Sequence, residues 1–143
     1  MAAGDITVFD EAKLALLDGT HDLDSDTIRL AFGDNTLTPT AALATPTLSD
    51  VTTVSGGNFP ATPTSLTVSL SETGGTVTFD VTNNPSFSSN GSNPSNVYWG
   101  YIYNDTATGD PLIAFVEIDT GGFDATGGDL TVTWNASGIF TLA

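Results

Sequence analysis

One side chain in the sequence exchanges protons near neutral pH: His21, followed at alternate positions by Asp22, Asp24 and Asp26. General acid–base catalysis needs a histidine, or a carboxylate whose pKa its surroundings have moved. In so acidic a loop His21 reads as a solvated residue whose protonated form the neighbouring carboxylates favour. A Ser–His–Asp hydrolase would have to use this same histidine, and no G-x-S-x-G elbow supplies the serine. The D-x-D-x-D spacing resembles the opening of a calcium loop. An EF-hand starting at Asp22 would need Gly at its sixth position and Glu at its twelfth, where this chain has Thr27 and Gly33. The leading expectation is that Asp22, Asp24 and Asp26 lie on the outer face of a segment entering a strand, with a calcium site of another geometry as the competing reading.

The other candidates also read as architecture. Glycine pairs at Gly56–Gly57, Gly74–Gly75, Gly121–Gly122 and Gly127–Gly128 lack the following Gly-Lys-Ser/Thr of a phosphate loop, and are expected in turns. Acids are plentiful enough for a two-carboxylate glycosidase, yet Glu117 alone is centred in an apolar run, where it reads as an outward-facing strand residue. Trp99, Tyr101 and Tyr103 share one face of a period-two strand, with Tyr98 opposite. They could stack on a sugar, but at least one face of such a strand must be buried, so core packing is the first reading. Neither a catalytic set nor a cofactor or metal site is assigned.

The elements around these residues are read from periodicity. Val97 to Ile118, VYWGYIYNDTATGDPLIAFVEI, is two apolar runs flanking a polar turn, the form of two paired strands. Leu66, Val68 and Leu70, the turn ETGG, then Val77, Phe79 and Val81 form a second hairpin. Ile28, Leu30 and Phe32 alternate with Thr27, Arg29 and Ala31 as a half-buried strand. Leu48–Val54 and Leu130–Trp134 read as further strands, and Ile139–Ala143 as the last. At the N-terminus, Ile6–Phe9 reads as a short strand and Asp10 as the cap of a two-turn helix that stops at Gly19. Residues 1–20 therefore form either a helix laid across one end of the fold or an arm docking on a neighbour, with Phe9, Leu14 and Leu17 as its apolar anchors. Residues 21–143 are expected to form one domain. Gly33–Thr47, rich in Thr, Pro and Ala, reads as a surface loop, and Asn83–Asn96 as a polar loop anchored by Phe87.

A chain of 143 residues with 15 Gly, 7 Pro and no cysteine suits a single all-β domain without disulfides. The fold class expected is an antiparallel β-sandwich or jelly roll of about 8–9 strands with one short N-terminal helix. Lys13 and Arg29 stand against seventeen acids, a formal net charge of −15. Nucleic acid and anionic membranes are excluded as partners, because both need basic side chains to meet their phosphates. The N-terminal residues lack the basic and apolar regions of a signal peptide, so synthesis in a cytoplasm is expected.

Five runs, in order, resemble a known group: DLDSDTIRLAF, LSDVTTVSGGNFPA, VTFD, VYWGYIYNDTATGDPLIAFVEIDTGG and GGDLTVTWNASGIFTL. They are similar to small structural proteins of tailed bacteriophages. The resemblance covers most of residues 22–142, and WNASGIFTL and YNDTATGDPLIAF are its most specific parts. It implies a virion component rather than an enzyme, and in particular a head decoration, or cement, protein. Such a protein would be a homotrimer on the outer surface of the phage head, bound to the major capsid protein at threefold or quasi-threefold positions. A tail- or fibre-associated role is the alternative, followed by a carbohydrate-binding module. The group brings no catalytic or ligand motif that can be carried over to particular residues.

Overall fold

Alternating apolar residues and frequent glycine turns give ten short strands, one α-helix and one 3-10 turn among the described residues. The structure, a computed structural model, describes residues 4–143. The chain is all-β, and its sheets are antiparallel.

The largest sheet runs β1-β8-β7-β2-β3, made of β1 (Thr7–Val8), β8 (Leu112–Glu117), β7 (Trp99–Asn104), β2 (Ile28–Gly33) and β3 (Thr64–Ser65). Its centre is the β7–β8 hairpin read from Val97 to Ile118, with Tyr101 opposite Phe115 and a register shift between Ile102 and Tyr103. Five of the six β7 residues are buried, so both faces of this strand are covered. The same holds for β2, where Ala31 is buried as well as Ile28, Leu30 and Phe32. The half-buried strand expected there is thus a central one, hydrogen-bonded on both sides to β7 and β3.

A second sheet runs β10-β5-β4, with β4 (Val68–Thr73), β5 (Thr76–Val81) and β10 (Phe140–Leu142). Gly74 and Gly75, at φ +60° and +88°, make the two-residue turn that the ETGG motif predicts. Only residues that tolerate positive φ at both positions give a turn matching the twist of the strands. Here the period-two pattern acts in full. Ser69, Ser71, Thr73, Thr76 and Thr78 fall on one face, and Leu70, Val77, Phe79 and Val81 on the other. A two-stranded ladder, β6 (Ser86–Phe87) with β9 (Leu130–Thr131), completes the set. One apolar cluster joins all three sheets through Phe32, Phe59, Phe79, Phe87, Leu130 and Val132.

Several expectations are corrected. Leu48–Val54 is not a strand: Leu48–Asp50 forms a 3-10 turn, and only Thr53 makes an isolated bridge, to Gly33. The run at 130–134 keeps its alternation, with Leu130, Val132 and Trp134 buried, but only its first two residues pair as a strand. Asp10 is the first helical residue of α1 (Asp10–Leu17) rather than its cap, and Phe9 occupies the cap position with extended backbone. Gly19, at φ +83°, does follow the helix end. In the 33–47 segment Gly33 is the end of β2, and the rest lacks regular structure but is pinned. Pro39 and Pro46 are buried, the Ala41 carbonyl accepts from the Asp10 amide at 2.8 Å, and the Pro46 carbonyl accepts from the Leu112 amide at 2.8 Å.

Candidate functional site

The side chains singled out for chemistry fold into a hydrogen-bonded junction beneath α1. His21 is buried, at 4% exposure, which overturns the solvated loop histidine. Its position follows from Gly19, which reverses the chain after the helix so that the His21 amide donates to the Ala15 carbonyl at 3.0 Å. The partner of its ring is Asn104, the last residue of β7 and fully buried. Asn104 Oδ1 accepts from the backbone amides of Thr106 (2.9 Å) and Ala107 (3.1 Å), which fixes the orientation of the side-chain amide. Nδ2 then donates to Asp26 Oδ2 at 2.6 Å and lies 3.2 Å from His21 Nδ1. Since that neighbour is a donor, Nδ1 is the acceptor and the ring proton sits on Nε2. Burial pushes the His21 pKa below its ordinary value, and the nearby Asp26 and Asp18 pull it back only in part. The neutral ring is therefore favoured, the reverse of the sequence expectation, because desolvation outweighs the carboxylates. Nε2 is buried without a partner among the described residues.

The alternate aspartates do not converge. Asp22 Oδ1 accepts from the Asp24 amide at 3.2 Å, and Asp26 Oδ2 accepts from the Asp22 amide at 2.9 Å as well as from Asn104. Hydrogen bonds from Ser25 first, then from the Asp24 amide, hold the Asp22 carboxyl below its ordinary range. Asp24 points to solvent. Among the described residues no group of three acidic, histidine or cysteine side chains has metal-holding geometry. The two cations are held by their own neighbours: Lys13 Nζ lies 2.6 Å from Asp10, and Arg29 Nε 2.8 Å from Asp105. Arg29 also donates to the Pro63 carbonyl and to Ser65 Oγ, clamping β3 to β2.

The aromatic strand is largely interior. Tyr101 and Tyr103 are each 1% exposed, and burial raises both phenols, Tyr103 to about 12. Trp99 is half-buried and packs edge-on against Phe115 at 6.0 Å, while Tyr98 donates from its hydroxyl to the Gly121 carbonyl at 3.1 Å. Glu117 ends β8 and is exposed, as expected.

The docking anchors divide. Phe9 is wholly buried and packs against Phe115 with ring centroids 5.0 Å apart, so it belongs to this fold's own core and is not presented to a partner. Leu14 and Leu17 are exposed, at 58% and 86%. Leu17 is one wall of a groove of about 380 Å³ between the end of α1 and the β10–β5–β4 sheet. This groove and the Asn104 junction are the features that residue patterns missed. Each assembles residues far apart in sequence, although an Asn closing an aromatic strand (YIYN) marks the start of the turn that holds the junction. No helix among the described residues is long and apolar enough to cross a membrane. Compared with known protein families, curated proteins and solved structures, the chain matches none.

Proposed function

We propose that the protein is a structural component of a phage virion, a decoration protein bound to the major capsid protein on the outer surface of the head. The observation that carries the reading is where the chemistry-bearing side chains go. His21, Asp26 and Asn104 hold one another beneath the helix, and Lys13 and Arg29 are engaged by their own carboxylates. What faces water is mostly Ser, Thr, Asn and carboxylate around a dense β core, the composition of a passive scaffold rather than of a reactive cleft. Bacteriophage structural proteins of the resembling group supply the location.

The mechanism is mechanical. A small domain docked across neighbouring capsid subunits, as a homotrimer at each site, adds interface that must be lost before the shell ruptures, and repetition over the shell multiplies a modest affinity. The buried Tyr101 and Tyr103 leave Tyr98 and Trp99 as the accessible part of the aromatic strand, which weakens a sugar-stacking alternative. Cryo-electron microscopy of the virion is the test. Regular density for this chain over the head, in hundreds of copies, supports the proposal; density confined to the tail ends it in favour of a tail role.

A further inference from the structure

The β10–β5–β4 sheet has one polar face and one apolar face, and the apolar face is only partly covered. Register places Leu142, Val77 and Glu72 in one row across the three strands, and Phe140, Phe79 and Leu70 in the next. The end of α1 and Leu23 roof part of this face, leaving Phe79 at 1% exposure. The rest stays open: Leu70 at 42%, Val77 at 39% and Leu142 at 49%, facing Leu17. The described residues include five exposed large apolar side chains, and four of them line this one groove. Scattered exposed leucines are ordinary, whereas a gathered patch with a polar rim marks an interaction site. Asp22 lines its helix side, and Glu72 continues the Leu142–Val77 row on its sheet side. Among the described residues β10 is an edge strand, paired only with β5.

We infer that this groove receives an extended, basic, amphipathic segment of a partner protein. Laid beside β10, such a segment bonds to the free strand edge and sends alternate apolar side chains over Leu142 and Val77 against Leu17. Its Lys or Arg residues alternate with these and so face away from the groove, held by the field of a chain whose formal net charge is −15. Charge decides against a second copy as the occupant of this groove: Lys13 and Arg29 are the chain's only Lys and Arg and both are already paired, so a second copy offers the groove no free basic side chain, whatever contacts copies make elsewhere. The partner's identity as a capsid subunit rests on the decoration reading; the groove and its preference for a basic segment stand apart from it.

The probes are three synthetic peptides of equal length, alternating Leu/Lys, Leu/Glu and Ser/Lys, titrated into the whole protein with fluorescence anisotropy as readout. The variants are the double Leu17→Ser/Leu142→Ser, both sites exposed, and Leu14→Ser, which is exposed outside the groove. Wild type and Leu14→Ser are expected to bind the Leu/Lys peptide, and the double variant to bind it about tenfold more weakly or worse. The Leu/Glu and Ser/Lys peptides should bind poorly. Equal binding of Leu/Lys peptide to the double variant overturns the groove, because it reveals general charge attraction. So does self-association in sedimentation that the double variant abolishes, since the occupant is then a second copy. Binding to phage heads stripped of this protein separates the two proposals. If wild type and double variant bind heads equally, decoration stands and the capsid subunit is overturned as the occupant of the groove; if neither binds heads while the peptide result holds, decoration fails and the groove stands.

Discussion

Asn93 shows how a polar loop can serve as core. Its Oδ1 accepts from the Asn58 amide at 2.7 Å, and its Nδ2 donates to the carbonyls of Ser88 (2.9 Å) and Ala125 (3.0 Å). A Cβ added at Gly57 would come within 2.4 Å of that Oδ1, so the approach depends on glycine. Asn93→Ala leaves the Asn58 amide without its partner and takes one of two donors from the Ser88 and Ala125 carbonyls, which keep Asn58 Nδ2 and the Asn90 amide, and should lower unfolding free energy by about 2 kcal/mol in urea titration. A loss within error of zero would mean that water replaces the side chain. His21 supports a pH prediction. Its folded pKa lies below its ordinary 6.5, so the unfolded chain takes up the proton first as pH falls. The associated stability is complete above pH 6.5 and is lost as pH drops from there through the folded value. His21→Gln removes this titration. Wild type should therefore exceed the variant by less at pH 5 than at pH 7.5; parallel stability curves would show that the ring is not held neutral. Neither residue's role was legible in sequence. Asn104 lies 83 positions from His21, and Asn93 32 from Ala125, and no local pattern reports such pairings.

The elements that could be read were those whose period lasted long enough to show. Six-residue strands such as β2, β4, β5, β7 and β8 carry the alternation or the apolar run visibly, and the Gly74–Gly75 turn fixed one register. β3 and β6 are two residues each, too short for any period, and exist because β2 and β9 offer them an edge. At Leu48–Asp50 strand-like residues gave way to a turn closed by the Asp50 carboxylate accepting from the Thr47 amide at 2.8 Å. The N-terminal segment was the ambiguous one, as both an end-cover and an arm require apolar residues. Thr7 opposite Phe115, Val8 opposite Ala114 and the burial of Phe9 make its described part an edge of the main sheet. Deleting residues 1–18, of which 1–3 lie outside the described residues, should thus abolish cooperative thermal unfolding. Phe9→Ala, a smaller change at the same place, should cost about 3–5 kcal/mol in the same measurement. A deletion variant that melts cooperatively near the wild-type temperature would return the segment to being a separable arm.

For the molecule as a whole the dominant long-range term is charge. Seventeen acids on 143 residues, with both cations already paired, leave carboxylates repelling one another across the surface. Local hydrogen bonds offset this for individual groups: Asp18, Asp22, Asp124 and Asp129 are held below their ordinary range, chiefly by the hydroxyls and amides of Thr20, Ser25, Thr126 and Ser89. Such bonds fix turns but leave the net charge in place. Screening should therefore stabilise the fold. Raising NaCl from about 20 mM to about 500 mM shortens the Debye length from roughly 20 Å to roughly 4 Å, below most separations between surface carboxylates. The melting temperature should rise smoothly by a few degrees, and KCl should reproduce the rise, since no particular cation is involved. Calcium makes the experiment discriminating. The Asp22 and Asp26 carboxylates are committed to backbone amides and to Asn104, so CaCl2 at matched ionic strength should add nothing beyond NaCl. A calcium-specific rise that disappears in Asp22→Asn and Asp24→Asn would show that the loop rearranges around an ion. A melting temperature that falls with salt would mean that the pairs Arg29–Asp105 and Lys13–Asp10 outweigh the repulsion, which their exposure and small number argue against.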